Sequence, residues 1–303
     1  PEPSDGYAGA RDAHFDAIRF VTVPETATRI AGTQTGEYDY AWQIAPDAFA
    51  GLEMDPSVDT VIREPFIWGV AFFNKREGMM TNQTLRQAVN AALDNEELLI
   101  AGAGPDEFWN LEHNYMVGDT PFKTDAGADQ YNQADPERAR QLAAEAGYDG
   151  ETIRWLVSPD YNQHYQMSLA AEQQLENAGF DIELIAVEWG TLLDLRSQPG
   201  EWDVFVTHHG FVPDPVLNNT LSATYPGWWD EPRHDELTRA LHSATSLEER
   251  QVAWEETLDY MWDYLPSIMI GEWYGLDIKS PDFQPGDAAT QGIPAYWNST
   301  RAE

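Results

Sequence analysis

The sequence predicts an α/β fold, on three observations: a strand–helix–strand series in its second half, helices with capping residues at both ends, and enough length for a sizeable core. At 303 residues the chain can fold as one or two domains. Its 12 Trp, 13 Tyr and 12 Phe exclude a disordered chain, because rings in that number must fill a core or line a site.

Taken in order, Phe15–Val23 alternates as a strand that Pro24 closes. Residues 25–35 read as a short helix ended by Gly36, and Tyr38–Trp42 as a compact strand. Residues 66–73 are apolar on both faces, as a buried central strand requires. Leu85, Ala88, Val89, Ala92 and Leu93 follow helical spacing after the cap candidates Thr81 and Asn82. Residues 101–134 read as a long ordered excursion. Asp135 and Pro136 then open a helix that Gly147 ends. Strand Thr152–Val157, a helix with Met167, Ala170, Ala171, Leu175 and Ala178 on one face, and strand Asp181–Val187 form a βαβ unit, so the two strands should be parallel. A short helix at 190–197, strand Trp202–Val206 and a loop at 207–232 follow. A last helix starts at the capping box Ser246–Glu249 and turns Trp254, Leu258, Met261, Trp262 and Leu265 inward; Pro266 stops it, and Ile268–Leu276 returns as a strand.

Composition limits the function. Seventeen basic against 52 acidic residues give a formal charge of −35, a field that repels nucleic acid. Such acidity fits salty surroundings, where cations screen self-repulsion. With no Cys there are no disulfides, thiolate metal sites or cysteine nucleophiles. No apolar run approaches the roughly 18 residues of a membrane helix. The opening Pro1–Gly6 contains no signal peptide and reads as the start of a mature or truncated product. No Gly-x-Ser-x-Gly elbow, phosphate loop or dinucleotide fingerprint occurs.

The order of several short motifs resembles a known family. They are Gly36-Glu37-Tyr38-Asp39; Phe73-Asn74; Leu85 to Asp94; Asp135-Pro136 leading to Glu145-Ala146-Gly147-Tyr148; Gln174-Leu175 to Gly179-Phe180; Trp202-Asp203-Val204; Pro213-Asp214-Pro215; Pro226-Gly227-Trp228-Trp229; and Leu265-Pro266-Ser267-Ile268. No single piece is specific, but the ordered series over 14–276 is. It resembles the peptide/nickel-type (family 5) extracellular solute-binding proteins of ABC transporters. The resemblance implies a periplasmic-binding-protein type II-like fold with two lobes closing on a solute, and about 200 further residues, a domain's worth, before this stretch. On that reading residues 1–77 plus 273–303 are a remnant of an incomplete lobe one, and 78–272 form lobe two. It also implies an exported, periplasmic monomer without cofactor, a small-molecule or peptide solute, an ABC permease as partner, and no catalysis.

The expected ligand segment is 207–215, because a buried strand opening into a Gly- and Pro-rich loop presents side chains at the sheet's carboxyl edge. In peptide-binding relatives a carboxylate four residues after the equivalent of Gly210 holds the ligand's amino group, and Asp214 has that spacing; alternatively Asp214 matches a structural Asp-Pro that caps a turn. His208 stands where some peptide binders carry a basic residue. Neighbours His208 and His209 point to opposite faces of a strand, which disfavours a shared metal ion. One is expected to be buried with a hydrogen bond and the other to line the cleft. Further candidates are Trp42, Trp68, Phe72, Phe73, Phe211, Trp273 and Tyr274, each alternatively a core ring, and Asn74, alternatively a turn cap. Trp228 and Trp229 read as packing. A peptide is the first expected solute, and an oligosaccharide or another organic solute the next. A secreted hydrolase is the rival class, marked by two carboxylates about 5–10 Å apart.

Overall fold

The computed structural model describes residues 14–286, 296 and 298–302, with backbone alone at residues 65 and 66; the opening Pro1–Gly6 lies outside them. In chain order the first elements are α1 (Thr26–Gln34), β1 (Tyr40–Ile44), α2 (Phe49–Leu52) and β2 (Asp59–Phe73). Next come α3 (Gln83–Ala92), α4 (Asn95–Ala103), β3 (Trp109–Asn110), α5 (Pro136–Ala146), β4 (Thr152–Val157), α6 (Asn162–Asn177) and β5 (Asp181–Ala186). The series ends with α7 (Trp189–Leu195), β6 (Val204–Gly210), α8 (Pro232–Ser243), α9 (Leu247–Tyr264) and β7 (Ser267–Lys279).

The chain divides into two compact units, residues 1–66 with 274–303, and residues 67–273. The boundaries expected from the sequence are 77/78 and 272/273.

In the first unit β1 runs antiparallel to the end of β7, with Tyr40 opposite Lys279 and Ile44 opposite Leu276. The register shifts between Ala41 and Ile44, where Gln43 takes a φ of 55°. This is a bulge, and it turns Trp42 outward beneath the Arg63 guanidinium, 5.3 Å from the ring centroid. Arg63 is anchored by Asp277, 2.5 Å away and fully buried, which also accepts from Tyr40 Oη and Gln43 N–H. Together these donors give both oxygens of the buried carboxylate hydrogen-bond partners that burial would otherwise deny them. The expected strand Phe15–Val23 does not form. Phe20 and Val21 are exposed, and the segment joins no ladder among the described residues, since alternation alone cannot substitute for an edge to pair with.

The second unit is a sheet in the order β7-β2-β6-β4-β5, with β3 beside β7. Strand β6 is antiparallel to β2 and parallel to β4, which is parallel to β5. The βαβ unit read from the sequence is present, and Met167, Ala171, Leu175 and Ala178 are buried as expected. Helix α5 has its expected cap, with Asp135 accepting from Arg138 N–H and Gly147 closing it at a φ of 78°. The Ser246–Glu249 capping box opens α9, and Trp254, Leu258, Met261, Trp262 and Leu265 are all buried. Arg86, 1% exposed, donates to the carbonyls of Met80, Thr81, Tyr264 and Leu265. It thereby satisfies the carbonyls at the end of α9, where Leu265 takes a left-handed φ. Besides the four-residue α2, two helices are absent from the sequence reading. α4 opens with polar residues and then runs Leu98, Leu99, Ile100 and Ala101 in succession without a stripe, and α8 begins at Pro232, the last residue of the expected loop. No described helix is long and apolar enough to cross a membrane.

Candidate functional site

Strands β4, β5 and β6 are parallel, so their carboxyl ends lie at one edge of the second unit's sheet. Three half-buried aromatic side chains sit there: Tyr161, four residues after β4; Trp189, opening α7 just after β5; and His208, near the end of β6. Tyr161 meets Trp189 at 4.9 Å and 73°, and His208 at 5.1 Å and 68°. Beneath them is His164, in the first turn of α6 and 1% exposed, whose Nε2 is 2.8 Å from His208 Nδ1. Trp273 of β7, 3% exposed, packs edge-on against both imidazoles at 6.2 Å. It reaches them because Gly69 has no side chain: a Cβ there would lie 2.5 Å from Trp273 Cζ3.

His209 points to the other face of β6, as its position next to His208 dictates. It stacks at a tilt on Trp68 and meets Phe72 edge-on, while its Nε2 pairs with Tyr225 Oη at 3.1 Å. Burial holds His164 and His209 at about 3 and His208 at about 4. For His164 and His209 the neighbouring His208 adds to this. All three imidazoles are therefore neutral at neutral pH. The edge is thus a hydrogen-bonded aromatic surface without imidazolium charge, suited to gripping a solute by its faces. Among the described residues no three His, Asp or Glu side chains gather so as to hold a metal ion.

The sequence-derived candidates fall into three places. His208, Trp273 and Phe211 belong to the strand end described above, with Trp68 on its opposite face; Phe211 is half-buried against the core. Phe73 and Asn74 lie at the other end of β2, since Phe73 pairs with Val204 and Ile67 with Gly210, a separation of about 20 Å along the strand. There Phe73 is core. Asn74 donates to the carbonyls of Pro199 and Trp202 and accepts from the N–H groups of Arg76 and Glu77, the hydrogen bonds of a turn cap. Trp42, 41% exposed, and Tyr274, 7% exposed, belong to the first unit. Asp214 accepts from Val216 N–H at 3.0 Å, capping the turn at Pro215, and pairs with Arg250 at 2.7 Å. Both its oxygens are engaged. Trp228 and Trp229 are buried.

Sequence reasoning missed Tyr161, His164 and Trp189. The available signal was positional, because each closely follows the carboxyl end of a strand in a parallel pair.

Comparison with known proteins fits this fold. Residues 2–230 match the family described as bacterial extracellular solute-binding proteins, family 5 Middle. The chain belongs to that family. A curated relative is the probable peptide ABC transporter periplasmic-binding protein y4tO of Sinorhizobium fredii, 26% identical over 99% of this chain and 59% of its own length. Among solved structures, the ABC transporter substrate-binding protein CtaP of Listeria monocytogenes is similar with a TM-score of 0.79 at 21% identity, covering 89% of this chain and 56% of that one. NikA from Brucella suis in complex with Fe(III)-EDTA is similar with a TM-score of 0.80 at 17% identity, covering 98% and 64%. The chain thus spans a little over half the length of these proteins, and the two solved structures share its fold.

Proposed function

We propose that this chain is part of the solute-binding receptor of an ABC importer, capturing a small solute, in the first place a peptide, and presenting it to a membrane permease. It does so outside the cytoplasm, in the periplasm, as a monomer and without chemistry on the solute. In this reading the second unit is most of lobe two, the first unit is part of lobe one, and the lobes close on the solute so that the permease distinguishes loaded from empty receptor. The observation that carries it is the gathering of Tyr161, Trp189 and His208 at the carboxyl ends of three parallel strands, above His164 and Trp273. Rings held this way give rigid, ordered area for a ligand at the place where open α/β sheets bind them. Family membership and the peptide-transporter relative support the same reading.

The test is thermal unfolding against peptides, oligosaccharides, opines and metal chelates. A cognate solute at 100 times its Kd stabilises by about 2.7 kcal/mol. No shift with any class would overturn the receptor reading. An oligosaccharide or another organic solute is the second reading, favoured by the engagement of Asp214, the expected amine anchor, with Arg250.

A further inference from the structure

We propose that the hollow between α8 and the turns that follow β6 binds a small hydroxylated monocarboxylate, of the sugar-acid class. This site is additional to the ring edge and goes beyond the receptor reading.

The hollow has a volume of about 610 Å³, within the range of pockets that hold a small molecule. One wall is formed by the turns Pro215–Leu217 and Asn219–Leu221 with the residues around them. The other is the stripe of α8 that carries His234, Thr238 and His242 one turn apart, with Asp235 and Arg239 beside them. The helix presents this stripe because Leu237 and Leu241 take the inward one and are buried. A hydrogen bond joins the two walls, His234 Nε2 lying 2.7 Å from the Leu221 carbonyl oxygen. Tyr161, Trp189, His208 and Trp273 are not among the residues that line the hollow.

Arg239 carries the argument. It is exposed, and among the described residues its guanidinium has no hydrogen bond, ion pair or ring contact. Its neighbours in sequence differ, for Arg233 pairs with Glu236 and Glu256, and Arg250 with Asp214. Asp235 stands four residues before Arg239, a spacing that suits an ion pair, yet its Oδ1 lies 3.6 Å from His234 Nδ1 instead. In a chain with 17 basic against 52 acidic residues, an arginine left free beside a hollow is a local exception to the prevailing charge.

Two further residues of the walls hold unspent hydrogen-bonding capacity. Asn218, 6% exposed, accepts from Thr220 N–H and Oγ1 through Oδ1, and its Nδ2 has no acceptor. A carbonyl only accepts, so the Leu221 contact places a proton on His234 Nε2; Nδ1, buried and without a donor, is then a bare acceptor beside the Asp235 carboxylate. Arg239 and Asn218 therefore call for oxygens, while His234 and Asp235 call for a proton. A carboxylate supplies the first and a hydroxyl the second. An aliphatic acid would leave the acceptors unmet, and a neutral polyol would forgo the charge-assisted bond to Arg239. A second carboxylate would be repelled by Asp235, which favours a monoacid. The chain's charge of −35 opposes any anion, but at about 0.15 M salt the field of distant charges decays over about 8 Å, so the groups at the hollow decide.

The experiment follows side-chain N–H resonances of the nitrogen-15-labelled full chain during titration with D-gluconate. D-sorbitol serves as the neutral polyol and hexanoate as the acid without hydroxyls. Gluconate should move the Arg239 Nε–H and Asn218 amide resonances, leave the Trp189 indole N–H in place, and bind about 3- to 30-fold more tightly than either control. Arg239→Gln, at an exposed position with no partner to lose, should bring gluconate down to the affinity of sorbitol without lowering the unfolding midpoint. Asn218→Asp keeps an oxygen for Thr220 and removes the donor, and it should weaken gluconate about 10-fold. Equal binding of sorbitol or hexanoate, undiminished binding in Arg239→Gln, a still Asn218 amide, or no binding of gluconate up to about 50 mM would each overturn the proposal. So would movement of the Trp189 indole with gluconate, which would put the acid at the ring edge. None of these outcomes touches the receptor reading, which stands or falls with the thermal screen.

Discussion

Gly69→Ala probes how firmly Trp273 is held against the imidazole pair. The added Cβ would lie 2.5 Å from Trp273 Cζ3 and 3.1 Å from Cη2, where ordinary contact begins at 3.4 Å, so the ring must move by about 0.9 Å. It has little room, being 3% exposed and packed edge-on against His164 and His208. Overpacking of this kind costs about 1–3 kcal/mol. Against it, replacing Gly restricts the unfolded chain and returns about 0.4–1 kcal/mol. The cost wins, and the variant should be less stable by about 0.5–2 kcal/mol. Urea unfolding should show a lower midpoint with an unchanged slope, and the near-ultraviolet circular dichroism should change as the indole shifts. A neutral or stabilised variant with an unchanged spectrum would refute the claim that this ring is locked in place.

The other expectations follow from buried polar groups. Arg86→Met removes the donor to four carbonyls at the end of α9 and before α3, and should cost about 3 kcal/mol or more in urea unfolding; a loss below about 1 kcal/mol would mean that water replaces it easily. The folded chain holds His164, His208 and His209 at about 3, 4 and 3, against 6.5 when unfolded, so between pH 6.5 and about 4 the unfolded chain binds more protons. Stability should therefore fall as pH drops through that window, and imidazole proton resonances of these three should not titrate between pH 5.5 and 7, a prediction that ordinary titration near 6.5 would defeat. Asp214→Asn keeps an acceptor for Val216 N–H but loses the Arg250 ion pair, so it should cost about 1 kcal/mol at most and leave solute affinity nearly unchanged; calorimetry showing a large affinity loss would restore Asp214 as a direct anchor.

The fold was legible wherever local signals agreed with the packing. Asp135, Pro136 and Gly147 bracket α5 because cap chemistry acts within a few residues, and the capping box at Ser246 works the same way. Helix α8 carried a related signal, Glu231 before Pro232 with the carboxylate accepting from Arg233 and His234 N–H, but that cap fell at the end of a stretch read as loop and the residues after it were given no element. Phe15–Val23 failed for the opposite reason: its pattern was right, but a strand depends on a neighbour that may come from anywhere in the sequence. The candidate site was half legible. His208 and Trp273 stood out as rings on recognisable strands, whereas His164 reads as an ordinary residue of an amphipathic helix until β6 brings His208 within 2.8 Å of it. Asn74 and Asp214 were ambiguous because a side chain that caps a turn and one that grips a ligand use the same atoms.

The consecutive residues His208 and His209, on opposite faces of β6, give the last strand before the loop two separate duties. On one side the residue is wired into the half-open rings, and on the other into Trp68, Phe72 and Tyr225. If the open side holds a solute, as proposed, substitutions there would retune what is recognised while the closed side keeps the scaffold standing. Exchanging one or two rings would then change the preferred cargo without first rebuilding the interior.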